Sequence, residues 1–323
     1  MPAFRAFDGT ELAYHVRGAG VPLICLPGGP MRASAYLGDL GGLGRHRRLV
    51  MLDLRGTGES AVPADPSSYR CDRLVDDVAA LMDHLDLQSV DVLGHSAGAN
   101  IAVQYALRDQ SRVRKLALIT PSGRAVDLEP DAAMRRHIVK LRQGEPWFAA
   151  AEAAYERVAA GQDAEDDWKA MAPLFYGRWD TAAQAHDAAG EKQVNETAAA
   201  EFGAAGAFDP TAARAALAGF HAPVLVLGGD LDLQRPPLIT AELAALFPAS
   251  RLVFQQGAGH FPWLDDPGRF VSAVNAFLDS DLLLRPRHGL SRAGPGHGRP
   301  PARCRAGTRI PPQSAGRGRL AGS

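Results

Sequence analysis

Residues Leu93-Gly94-His95-Ser96-Ala97-Gly98-Ala99 hold a Gly-x-Ser-x-Gly pentapeptide between two segments of different character. Upstream, Ser89-Val90-Asp91-Val92-Leu93 is an apolar run of strand length. Downstream, Ala97 to Leu107 is small and apolar at helical spacing. A strand that passes into a helix through a serine must turn sharply. Gly94 and Gly98 suit that turn, because a side chain at either position would collide with the adjoining strand or helix. The turn presents the Ser96 hydroxyl at the sheet edge, within reach of a base and a substrate. A bare pentapeptide arises by chance in a glycine-rich chain; the strand–turn–helix setting marks Ser96 as a nucleophile.

A serine hydroxyl is weak alone and needs a base and an acid. Pro223-Val224-Leu225-Val226-Leu227 reads as a buried strand, and Gly228-Gly229-Asp230-Leu231-Asp232 leaves its carboxyl end. Further on, Arg251-Leu252-Val253-Phe254 is a second strand, followed by Gly257-Ala258-Gly259-His260-Phe261-Pro262. A histidine in a glycine-framed loop after a strand can swing its ring toward a serine on a neighbouring turn. The chain order is serine, aspartate, histidine.

With these motifs the chain resembles the α/β-hydrolase superfamily over about residues 4 to 280, and its order of triad residues is the one such enzymes use. Two further motifs carry the resemblance. Leu26-Pro27-Gly28-Gly29-Pro30 follows the strand Val21–Cys25 and is similar to the loop that supplies a backbone N–H to the oxyanion hole, with Pro27 where a histidine is usual. The resemblance assigns the two donors to Gly29 and Ala97; Pro30 has no N–H to give. Asp53-Leu54-Arg55-Gly56-Thr57-Gly58-Glu59-Ser60 is similar to the Asp-x-Arg-Gly-x-Gly-x-Ser loop of cap-bearing hydrolases, and its expected role is a tight turn outside the chemistry. The family's Gly-x-x-Asp pattern places the triad acid at Asp232, with Asp230 as a loop-ordering or solvated carboxylate. His95 is expected to pack or to touch a cap, and His15, His46, His84, His137, His186 and His221 to be surface or structural.

The order of segments predicts an α/β fold: a mostly parallel eight-stranded sheet, flanked by helices, with a helical cap inserted after the sixth strand. Phe4–Phe7 and Glu11–Val16 form an antiparallel opening hairpin about Asp8-Gly9, followed by strands near 22–26, 48–53, 89–94, 114–119, 223–228 and 251–255. Asp72–Leu85 is amphipathic, with Leu74, Val75, Val78, Leu81, Met82 and Leu85 on one face and Asp72, Asp76, Asp77 and Asp83 off it. Asp266 caps a closing helix that starts at Pro267. The strand signal vanishes between Pro121 and about Phe220, where helical patterns appear near 130–142, 147–160, 180–201 and 210–218. The expected division is therefore a core of residues 1–120 and 221–284, a cap of 121–220, and a tail of 285–323.

Composition sets bounds on the rest. The chain has 323 residues, 46% of them hydrophobic, and a net charge of −1. It has no apolar run long enough to span a membrane, and its start, Met-Pro-Ala-Phe-Arg-Ala-Phe-Asp, lacks the apolar stretch of a signal peptide. Cys25, Cys71 and Cys304 fit no metal spacing. These features lead us to expect a soluble cytoplasmic protein. Nine of the 35 basic residues lie from Arg285 to Arg319 with no acidic residue among them, against 26 basic and 36 acidic residues elsewhere. That Gly-, Pro- and Arg-rich tail is expected to be disordered. Without aromatic residues to stack bases, no nucleic-acid partner is expected for it.

The expected activity is hydrolysis of a small-molecule ester or amide through an acyl-enzyme, with no metal and no cofactor. Ser96 argues against epoxide hydrolase and haloalkane dehalogenase chemistry, since those similar families use an aspartate nucleophile. The Gly-Gly-Pro loop and the Asp-Leu-Arg-Gly-Thr-Gly-Glu-Ser loop resemble the proline iminopeptidase branch. That branch implies a runner-up, an aminopeptidase that binds a free amine through cap carboxylates such as Glu191, Glu196 or Glu201. A ligand-binding protein without turnover is the third reading. Oligomeric state has no signature in the sequence.

Overall fold

A computed structural model describes residues 2–280 apart from 163, 165 and 191. The Arg-rich tail, Cys304 and Glu191 lie outside the described residues. Eight strands form one sheet: β1 (Ala3–Arg5), β2 (Glu11–Arg17), β3 (Pro22–Leu26), β4 (Arg48–Leu52), β5 (Val90–His95), β6 (Val113–Ile119), β7 (Val224–Gly229) and β8 (Ser250–Gln255). Their spatial order is β1-β2-β4-β3-β5-β6-β7-β8. β1 pairs with β2, and β2 with β4, in antiparallel fashion; every later pairing is parallel. This is the predicted α/β-hydrolase fold.

The central strands read as continuous apolar runs because both faces of a parallel sheet are covered. Ile24, Leu26, Val92, Leu116, Leu118, Val224 and Val226 point into one core. Leu23, Cys25, Leu93, Ala117, Ile119, Leu225 and Leu227 point into the other. Helices α1 (Cys71–His84) and α2 (Gly98–Arg108) contribute Leu74, Val78, Leu81, Ile101 and Ala102 to the first core. Between β6 and β7 the chain is helical: α3 (Ala132–Lys140), α4 (Phe148–Ala159), α5 (Asp167–Met171), α6 (Thr181–Gly190), α7 (Glu196–Phe202) and α8 (Pro210–Leu217). Ile138, Val139, Ala151, Ala154, Tyr155, Met171 and Leu174 give this insertion a small core of its own, with Leu233. After α9 (Pro237–Ala245) and the short α10 (Pro262–Asp265), α11 (Pro267–Leu278) closes the described chain and buries Phe270, Val274 and Phe277 against the second core. Asp266 caps α11 as expected, accepting from Arg269 N–H at 3.0 Å.

Three expectations need correction. The stretch 180–201 is two helices. Between them Gln193–Asn195 turns its backbone to the loop after β3, with Ala33 N–H donating to Gln193 O at 2.8 Å and Asn195 N–H to Met31 O at 3.0 Å. Asn195 then starts α7 by accepting from Ala198 N–H. The alanine-rich pattern carries no mark of that tertiary pairing. The five-residue α5 was not predicted at all; it is too short for a periodic signal. Asp77, expected on the polar face of α1, is fully buried. Arg55 Nε donates to it at 2.8 Å, and Arg55 Nη1 reaches Asp8 at 2.7 Å. Helical periodicity cannot show a cation that arrives from the loop after β4.

Candidate active site

β5 ends at His95, and Ser96 follows with φ +51°. Side-chain crowding makes this left-handed region costly for any residue but glycine, by about 1–2 kcal/mol. The turn is held by Ser96 N–H donating to Ile119 O at 3.0 Å, while Ser96 O accepts from Ala99 N–H and Ser122 N–H. A Cβ at Gly94 would lie 2.8 Å from Ala99 Cα, and one at Gly98 would lie 2.4 Å from Leu26 O and 2.5 Å from Pro27 O. The two glycines therefore let the turn close and let the loop after β3 lie directly against it.

That loop brings Gly29 into the wall of a cavity of about 310 Å³ that also contains Ser96, His95 and His260. Gly28 N–H donates to Tyr36 Oη at 2.7 Å. Ala97 is buried at the amino end of α2, where the first main-chain N–H groups point out of the helix end without intrahelical acceptors. The loop is braced from behind by Asp53, whose Oδ1 accepts from Ser34 N–H and Oγ at 2.8 and 2.7 Å and whose Oδ2 accepts from Glu59 N–H. Asp53 thus has the structural role expected of its motif.

Asp232 and His260 leave the carboxyl ends of β7 and β8. His260 Nδ1 lies 2.9 Å from Asp232 Oδ2 and 3.1 Å from Oδ1, and both side chains are buried. Gln234 and Arg235 N–H groups hold the same carboxylate at 2.9 and 3.0 Å. Asp230 is instead a loop tie, accepting from Gly257 N–H at 2.7 Å.

Sequence reasoning missed the groups that hold these loops together. His95 Nε2 donates to His260 O at 3.0 Å, and since a carbonyl only accepts, Nδ1 is left as the acceptor for Tyr36 Oη at 2.6 Å. Burial, aided by neighbouring His260, pushes His95 well below the ordinary imidazole range, so it stays neutral. Asp265 accepts from Gly177, Arg178 and Gly259 N–H groups, and His260 N–H donates to Phe175 O at 2.7 Å. Burial raises Asp265 against those three bonds. The one available signal was the position of His95 inside the pentapeptide. The cavity wall also includes Arg32, Trp168, Lys169, Tyr176, Asp187 and Glu196. Of the carboxylates expected from the proline iminopeptidase resemblance, Glu196 is on that wall and Glu201 is not. Among the described residues no helix is long and apolar enough to cross a membrane, and no cluster of three or more His, Cys, Asp or Glu is placed to hold a metal ion.

Residues 21–267 match the model of the alpha/beta hydrolase fold family. The chain belongs to the α/β-hydrolase family. A proline iminopeptidase of Heyndrickxia coagulans is 25% identical over 294 residues, covering 86% of this chain and 95% of its own. Among solved structures, the proline iminopeptidase of Mycobacterium smegmatis superposes with a TM-score of 0.67 at 24% identity, over 86% of this chain and 97% of its own. The esterase RhEst1 of Rhodococcus sp. ECU1013 gives 0.64 at 25% identity, over 86% and 98%. This α/β-hydrolase is a hydrolytic enzyme similar to proline iminopeptidases and esterases.

Proposed function

We propose that this α/β-hydrolase cleaves an ester or amide bond of a small molecule through a Ser96 acyl-enzyme. The observation that carries the reading is the buried 2.9 Å contact of His260 Nδ1 with Asp232, beside a serine on a left-handed turn in the same cavity wall. His260 Nε2 takes the Ser96 hydroxyl proton as Oγ bonds to the acyl carbon, and Asp232 keeps the proton on Nδ1 and stabilises the imidazolium. The oxyanion is received by Gly29 and Ala97 N–H groups, each worth on the order of 10²–10³ in rate. The leaving group departs with the proton held by His260, and water then repeats the cycle on the acyl carbon. Residues 121–220 act as a cap, supplying Trp168, Tyr176 and Glu196 to the cavity.

The reading is tested with p-nitrophenyl butyrate and a fluorophosphonate probe on the wild type and Ser96→Ala. Turnover and labelling in the wild type, both absent in the variant, are expected; equal labelling of the two proteins would overturn it. Glu196 on the cavity wall supports a second reading, an aminopeptidase. Amino-acyl p-nitroanilides distinguish it: turnover of these far above the esters would favour that reading.

A further inference from the structure

Arg32 follows the Gly-Gly-Pro loop and lines the cavity with Gly29 and Ser96. It is only 9% exposed. Among the described residues its hydrogen-bond and ring partners are neutral: Nε donates to Gln193 Oε1 at 2.9 Å, Nη2 donates to His186 O at 3.3 Å, and the guanidinium lies over the Tyr36 ring, 4.4 Å from its centroid. Asp187 adds an electrostatic attraction. Burial lowers its proton affinity, yet an arginine in a protein keeps its charge. Amide oxygens and an aromatic face offset a buried cation less well than an anion does.

The other charges on the wall sit differently. Lys169 and Glu196 are exposed and Asp187 is half-buried, so water screens them more than it screens Arg32. Of the charged side chains that line the cavity, the buried one is the Arg32 guanidinium. We infer that the substrate carries a carboxylate, received by Arg32 next to the Ser96 hydroxyl. The planar fork of donors matches a carboxylate, and two of its N–H groups, on Nη1, are not used by Gln193 or His186. The same charge repels a substrate ammonium group near the serine and disfavours the aminopeptidase reading. The inference rests on the serine-hydrolase reading and narrows its substrate class to anionic esters or amides.

Two matched pairs test it on the full chain. p-Nitrophenyl butyrate and p-nitrophenyl hemisuccinate differ by a carboxylate on a four-carbon acyl group; phenyl butyrate and 4-carboxyphenyl butyrate differ by one on the leaving group. The wild type is expected to favour the anionic member of one pair by about tenfold or more in kcat/KM, the scale of one charge-assisted contact. Arg32→Gln should lower that member at least tenfold more than its neutral partner, chiefly through KM, and Arg32→Lys should restore part of the difference. A wild type without preference in either pair overturns the inference, and needs no variant to fold. So does an Arg32→Gln protein that loses both members equally, since Arg32 would then only clasp the loop to the insertion. If the neutral esters turn over and the fluorophosphonate labels Ser96, such a failure concerns substrate class alone. If neither happens, the serine-hydrolase reading fails and this inference fails with it.

Discussion

Tyr36 Oη donates to His95 Nδ1 across 2.6 Å while accepting from Gly28 N–H, and so couples the loop after β3 to the serine turn. Through His95 Nε2 the coupling continues to the His260 carbonyl. Tyr36→Phe leaves two buried polar groups without their partner, at about 1–3 kcal/mol each. Urea unfolding should register that loss, and kcat should fall with it because Gly28 adjoins the proposed oxyanion donor. Unchanged stability would show that the loops are held by other means.

Ser96→Ala should reduce ester turnover by about 10⁶ while leaving the circular dichroism spectrum intact. Ser96→Gly should be equally inactive but more stable than Ser96→Ala by about 1 kcal/mol, because glycine adopts the +51° φ of this turn without a Cβ clash. Paired melting curves decide the second half; equal stabilities would mean that the turn stores no strain.

The two loop aspartates should separate cleanly. Asp232→Asn removes the charge against His260 Nδ1 and should lower kcat by about 10⁴. Asp230→Asn alters only an acceptor for Gly257 N–H and should cost far less. A larger loss at Asp230 would reverse the assignment of the acid.

Acid should destabilise the protein earlier than carboxylates alone would dictate. Burial lowers His186 to about 4 and His95 well below its ordinary value. Both are neutral when folded, whereas an unfolded histidine gains its proton near 6.5. The unfolded state therefore binds more protons below that pH. Stability is fully present above about 6.5 and falls as the pH drops toward 4, by up to about 1.4 kcal/mol per pH unit for each histidine. Urea midpoints at pH 7.5, 6 and 5 measure the slope. His186→Gln should make it shallower by up to one histidine's share; an unchanged slope would count against the neutral His186 held between Tyr176 Oη and the Tyr36 carbonyl.

Asp77→Ala leaves the fully buried Arg55 with Asp8 as its remaining carboxylate and should cost about 3 kcal/mol in unfolding free energy. Asp76, one residue earlier, pairs with a partly exposed Arg108. Asp76→Ala should cost about 1 kcal/mol or less. Similar losses in both variants would refute the distinction.

Much of this protein was determined by its sequence alone. Apolar runs bounded by glycine and proline locate the central strands to within a few residues, because a strand buried on both faces must be apolar along its length; the opening hairpin is legible from its Asp8-Gly9 turn. The pentapeptide, the Gly-Gly-Pro loop and the glycine-framed histidine were legible because tight turns and close backbone approaches tolerate few residue types. Asp266 at the start of α11 was legible because capping is local. Tertiary structure alone decided which charged and polar groups meet. Asp77 reads as a surface residue until Arg55 arrives from another loop; Gln193–Asn195 reads as helix until it pairs with Met31–Ala33. His95 joins Tyr36 to His260, and Arg32 comes to lie on the cavity wall, only when separate loops converge at the carboxyl edge of the sheet. Periodicity records which face of an element is buried. It carries no record of what that face meets, since a hydrogen bond or ion pair between distant segments leaves no pattern in either one.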